Sequence, residues 1–136
     1  MVYCGWALQS KVNEFFRNAE ATIVNSYQSM RNEQELMSLI LDVANRDDRI
    51  RAVLLNGSGA NPTISKDIFQ DYDIVYVVSN MSEFLANHNW IDVFGERLIL
   101  QLPEEMTFGE KDDYAFHYLM LFKDGKRIDL TLFPVD

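Results

Sequence analysis

The stretch LLNGSGANPTISKDIFQDYDIVYVV, residues 54–78, carries the pattern on which the fold turns. It begins inside an apolar run, RAVLLN (51–56), which reads as a buried strand stopped at a Gly57-Ser58 turn. A polar loop rich in turn formers follows, and then Asp71 and Asp73 stand at the mouth of a second buried strand, YDIVYVV (72–78). Side chains alternate along a strand, so Asp71 and Asp73 share one face while Tyr72 and Ile74 take the other. At the rise of a strand their Cα atoms lie about 6.5–7 Å apart. Two unpaired negative charges that close, at a half-buried strand start, raise each other's cost of ionisation. A hard cation resolves the conflict. Magnesium takes oxygen ligands and commonly binds one or two carboxylates together with substrate phosphates. On the other side of the loop, Gly57 lets the backbone approach a ligand closely and Ser58 adds a hydroxyl donor. A helix starting just after that turn would also aim free N–H groups at phosphates.

A third carboxylate belongs with this pair. Asp129 sits inside RIDLTL between Ile128 and Leu130, where a strand has no packing reason to carry a charge. Arg127, Asp129 and Thr131 share a face by the same alternation. Plainer roles exist for each residue: Asp71 as a turn residue, Asp129 as the ion-pair partner of Arg127 or a nearby lysine. The three aspartates taken with the Gly-Ser turn point further, to a seat for a metal and a phosphorylated ligand.

Outward from this centre, Asn32 and Glu35 form a capping-box pattern, and Leu36, Leu39, Ile40, Val43 and Ala44 give a helical stripe ending near 45–48. One or two short helices are expected over 81–95 around Phe84, Trp90 and Phe94, and a strand over RLILQL (97–102). YAFHYLMLF (114–122) and RIDLTLF (127–133) flank Lys123-Asp124-Gly125-Lys126, a hairpin with Asp-Gly as the two-residue turn signal. Together these predict an α+β domain on a mixed β-sheet with flanking helices. Residues 1–29 carry Val12, Phe15, Phe16, Ala19 and Ile23 at helical spacing. They read as an N-terminal helical extension or leader before a domain over 30–136.

The bulk properties narrow the function classes. The chain has 136 residues, the size of one domain, and its 48% hydrophobic content supports a core. A net charge of −9 repels phosphate backbones and anionic lipid, so neither nucleic acid nor membrane is an expected partner, whereas a cationic small molecule is. A single cysteine, Cys4, excludes an internal disulfide and a cysteine-based zinc site, and fits a cytoplasmic protein. With only His88 and His117 present, a histidine-based metal site is not expected. His117 reads as a sheet residue, Trp90 and Phe94 as core, Glu104 and Glu105 as solvated charges, and Lys66 as a surface lysine.

The segments MRNEQELMSLILDVANRDDRIRAVLLNGSGANP, KDIFQDYDIVYVV and YLMLFKDGKRIDLTLFP resemble the N-terminal domain of the aminoglycoside 6-adenylyltransferases, within the polymerase-β-like nucleotidyltransferase superfamily. The resemblance covers about residues 30–136. It implies a nucleotidyltransferase fold that moves AMP from ATP to a hydroxyl of an aminoglycoside such as streptomycin, conferring antibiotic resistance and releasing pyrophosphate. By the same resemblance, Asp71, Asp73 and Asp129 are the catalytic, magnesium-holding carboxylates, and Gly57 and Ser58 bind the nucleotide. Asp129 would assist a metal or accept the proton of the attacking hydroxyl. The family's turn reads Gly-Ser-Arg-Ala-Asn, whereas position 59 here is glycine, which removes a cation beside the phosphates. The resemblance also leads one to expect a C-terminal helical domain, which this sequence lacks; the surface it would cover offers a site for self-association. Alternatives left open are a minimal nucleotidyltransferase acting on a protein partner and a catalytically inactive truncated remnant.

Overall fold

The computed structural model describes residues 11–22, 30–56, 71–107 and 113–135. The chain divides into two compact units, Met1–Arg31 and Asn32–Asp136. In the first, residues 11–22 form a helix, α1. The helical spacing seen in the sequence is real, but it makes no buried stripe: Val12, Phe15 and Phe16 are exposed. The two phenylalanine rings meet edge to face at 6.0 Å.

The second unit opens with α2 (Glu33–Arg46). Its start is a closed capping box: the Glu35 N–H donates to Asn32 Oδ1 at 2.8 Å, and the Asn32 N–H donates to Glu35 Oε2 at 2.9 Å. Two of the orphan donors of the first turn are thereby satisfied. The helix buries Leu36 and Ile40. It ends where Asp47 turns back, its carboxylate taking three donations from Arg49, among them the backbone N–H at 3.1 Å and Nε at 2.9 Å.

Among the described residues five strands follow: β1 (Ile50–Asn56), β2 (Asp71–Val78), β3 (Arg97–Gln101), β4 (Phe116–Phe122) and β5 (Arg127–Pro134). Between β2 and β3 run α3 (Met81–Leu85) and a 3-10 segment, His88–Phe94. The strand order is β1-β2-β5-β4-β3, with β2 and β5 parallel and the other neighbours antiparallel. This is the mixed sheet with flanking helices expected of the α+β class.

Burial alternates strictly along the central strands. Tyr72, Ile74, Tyr76 and Val78 of β2, Ile128, Leu130 and Leu132 of β5, and Phe116, Tyr118, Met120 and Phe122 of β4 are all buried. They form one core with Leu36, Ile40, Phe84, Ile91 and Phe94. Tyr76 ties sheet to helix, its hydroxyl donating to the Ile40 carbonyl of α2 at 2.5 Å. Burial pushes its phenol well above the ordinary value.

Two local expectations need correction. Residues 51–56 were expected as a buried strand, yet β1 is an edge strand of which only Ile50 is buried, with Leu54 exposed. An apolar run reads the same whether one or both faces are covered; position in the sheet decides, and the sequence does not state it. The β4–β5 loop is one residue longer than its Asp-Gly signal implies. Leu121 pairs with Arg127, and the Phe122 N–H donates to the Lys126 carbonyl at 2.9 Å, leaving Lys123, Asp124 and Gly125 in the loop. Gly125 takes φ 79°, the left-handed position that closes a three-residue hairpin through a bulge.

Candidate active site

The open face of the sheet, opposite the core, carries the candidate residues. Asp71 and Arg127 open β2 and β5 side by side, and Asp73 and Asp129 stand opposite each other two residues on. Neighbouring strands are about 4.8 Å apart. Three carboxylates separated in sequence therefore converge at the N-terminal ends of the two parallel central strands. The level of Asp73 continues across all five strands as Asn56, Asp73, Asp129, Leu119 and Gln101. Asp71, Asp73 and Asp129 are all half-buried.

Arg127 binds this cluster from within. Its Nε and one terminal nitrogen donate to the two oxygens of Asp129 at 2.9 and 3.0 Å, a bidentate fork, and the other terminal nitrogen lies 3.6 Å from Asp71 Oδ2. The plain pairing of Asp129 with Arg127 is thus realised in the structure. One guanidinium does not balance three carboxylates, however. Asp73 is pushed above the ordinary carboxylate range, first by burial and then by the charges of Asp129 and Asp71, with Arg127 acting in the opposite sense. Asp129 in turn holds the Arg127 guanidinium above its usual value.

Among the described residues, the donor set is all hard oxygen and short of positive charge, which suits magnesium in the role of binding carboxylates together with phosphates. Asp71 and Asp73 are the residues that could hold such an ion, with Asp129 adjoining. Among the described residues, no three acidic, histidine or cysteine groups are gathered as a ready-made metal cage. Arg127 stands between Asp71 and Asp129 instead. Gly57 and Ser58, the candidate nucleotide-binding residues, lie outside the described residues, as do Gly59 and Lys66.

A hollow of about 260 Å³ adjoins the cluster, lined by Arg127, Leu119, Leu121, Ile99 and Gln101. A larger one of about 620 Å³ lies along Gly95–Leu100 at the outer strand β3, away from the carboxylates, and includes none of them.

One feature of this face was not legible in the sequence. Glu104 is no solvated charge: its side chain is 11% exposed and receives both His117 Nδ1 at 2.6 Å and the His117 backbone N–H at 3.0 Å. His117 stands opposite Thr131 of β5, one pleat from Asp129 on the same face. Glu105 has a parallel role on the core side, accepting from His88 Nε2 at 2.9 Å while His88 Nδ1 lies 2.8 Å from the Tyr118 hydroxyl. A short turn, Pro103–Glu105, thus clamps both histidines of the chain. No local spacing announces such contacts, because the partners lie 13 and 17 residues apart. Arg127 did carry a signal: two residues before Asp129 on one strand, it had to share its face.

Comparison with known proteins agrees with this architecture. The chain is 48% identical over 107 residues to an aminoglycoside 6-adenylyltransferase of Campylobacter jejuni, covering 79% of this chain and 37% of the relative. It is 47% identical over 107 residues to the enzyme of that name from Bacillus subtilis (strain 168), covering 78% and 38% respectively. The crystal structure of an aminoglycoside 6-adenyltransferase from Bacillus subtilis superposes with a TM-score of 0.67 at 41% identity, covering 78% of this chain and 36% of that one. The chain therefore spans little more than a third of the length of these relatives. Residues 30–136, the segment holding the sheet and all three aspartates, match the streptomycin adenylyltransferase family, and the chain belongs to that family.

Proposed function

We propose that this chain carries out nucleotidyl transfer of the aminoglycoside type, moving AMP from Mg-ATP to a hydroxyl of streptomycin or a related aminoglycoside. The observation that carries the reading is the convergence of Asp71, Asp73 and Asp129 on the open face of β2 and β5, in a chain of this family. The acceptor oxygen attacks the α-phosphorus, the bond to the β-phosphate oxygen breaks, and pyrophosphate leaves with the electron pair. When bound, magnesium supplies neutralisation of the triphosphate and of charge developing on the leaving oxygen. Asp71 and Asp73 hold and orient the metal–nucleotide. Asp129 assists the metal or takes the hydroxyl proton, the latter a role worth about 10²–10⁴-fold in rate. The net negative chain attracts a polycationic acceptor. Gly57 and Ser58 are assigned to the phosphates on sequence grounds.

The test is incubation with α-labelled ATP, Mg²⁺ and streptomycin, followed by chromatography for adenylylated drug. Label on the drug, lost in Asp71→Asn and Asp73→Asn, supports the reading. Label appearing on protein instead would move the acceptor to a protein partner. No transfer and no magnesium-dependent ATP binding by the folded chain would end the enzymatic reading.

A further inference from the structure

The carboxylate cluster already contains a cation. Arg127 spends three of its nitrogens there, two on the oxygens of Asp129 and one towards Asp71. Among the described residues, no hydrogen bond or ion pair reaches Asp73. The guanidinium thus engages the two outer carboxylates and leaves the third facing its neighbours' charge.

Resting on the reading that this cluster seats a metal–nucleotide, we infer that Arg127 is the resident counter-cation of that seat, competing with the metal for Asp71 and Asp129 and leaving them when the metal–nucleotide binds. The stereochemistry forces a competition. A bidentate fork uses both oxygens of Asp129, and a guanidinium and a divalent ion repel each other at ligating distance. Arg127 has room to leave, because its side chain is 43% exposed and springs from the first residue of β5. A triphosphate also offers the released fork a matching oxyanion, since guanidinium pairs with phosphate as it does with carboxylate. Free metal offers no such exchange. Metal alone therefore binds weakly, and metal arriving with nucleotide binds better. Until then, Arg127 holds the outer aspartates in place.

Two measurements test this. Free Mn²⁺, as a paramagnetic probe of the magnesium seat, is titrated by electron paramagnetic resonance into the unaltered chain, Arg127→Met and Arg127→Lys. Arg127→Met binds Mn²⁺ at least tenfold more tightly than the unaltered chain. Arg127→Lys, which keeps the charge and loses the fork, falls between. Separately, the Arg127 Nε–Hε resonance, assigned by its loss in Arg127→Lys, is followed by ¹⁵N NMR in the unaltered chain. Saturating Mg²⁺ with a non-hydrolysable ATP analogue shifts it away from its carboxylate-bonded position. This second readout needs no Arg127→Met protein, so it decides the matter even where that variant folds poorly. If the unaltered chain and Arg127→Met bind Mn²⁺ with equal affinity, or the resonance stays in place at saturation, Arg127 is a structural ion-pair partner only. In that case the metal seat still stands, provided Asp73→Asn weakens binding. If no chain binds Mn²⁺ with or without nucleotide, both the seat and the inference fall.

Discussion

The two faces of the sheet are made by the same strands and follow opposite rules. On the closed face, Ile74, Tyr76, Leu130, Leu132, Tyr118 and Met120 are each at most 1% exposed and pack against α2, α3 and the 3-10 segment. On the open face, the interleaved residues of the same strands gather three carboxylates, an arginine and a histidine. The closed face gains by excluding water. The open face holds like charges together at a loss, as the upward push on Asp73 records. Residues adjacent in sequence, such as Asp129 and Leu130, therefore belong to different systems. The candidate site residues thus stand where burial gains the fold nothing.

Substitutions on the two faces should accordingly separate activity from stability. The largest effect is expected for Asp73→Asn. On the proposed reading Asp73 is a metal ligand whose loss forfeits several kcal/mol of transition-state stabilisation, so the proposed adenylyl transfer should fall by about 10²-fold or more. The melting temperature should hold or rise. Asp73 binds a proton more readily in the fold than in the unfolded chain, so its charged form at neutral pH opposes folding. A fall in stability parallel to activity would break the separation of the faces.

Next comes Leu130→Ala, one residue from Asp129 on the other face. It should cost about 2–5 kcal/mol in urea denaturation, with metal binding by the folded fraction retained. An alkaline titration probes the same core. Burial pushes the Tyr118 phenol up to about 12. Its contribution is fully present below the unfolded value near pH 10 and is lost as pH rises through about 12, on the order of 2 kcal/mol. Tyr118→Phe should flatten that fall, followed by circular dichroism.

Smaller still is Tyr76→Phe, which removes the hydroxyl bonded to the Ile40 carbonyl and should cost about 1 kcal/mol by denaturant midpoint. The smallest effect belongs to Asp47→Asn. The Arg49 guanidinium holds the Asp47 carboxyl below its usual range, so its contribution exists above the unfolded value and vanishes as pH falls through the lower folded one. A half-exposed pair of this kind is worth at most about 1 kcal/mol near neutrality. The difference between Asp47→Asn and the unaltered chain should close in acid.

Periodicity and capping residues act within a few positions, so the local elements were legible in the sequence. Asn32 with Glu35 announced the start of α2, and the alternation around Asp71, Asp73 and Asp129 announced which side chains share a face. The hairpin was legible as a hairpin, though its loop needed Gly125 at positive φ and one more residue. The exposure of β1 was not legible, because coverage depends on which strand lies beyond it. Nor was the burial of Glu104, since a glutamate in a Pro-Glu-Glu turn looks solvated until β4 brings His117 beneath it.

By itself, the sequence determined the α+β class and the family, and it singled out three aspartates as candidates for one site, since each follows from short-range pattern or residue identity. Only the tertiary structure decided that β2 and β5 are parallel neighbours in a register that sets Asp73 beside Asp129. Only it decided that Arg127 reaches both outer carboxylates. Strand order and register are settled by burying Tyr72, Ile74, Ile128 and Leu130 together. A one-residue slip of either strand would turn its own pair of these residues to solvent and its aspartates into the core.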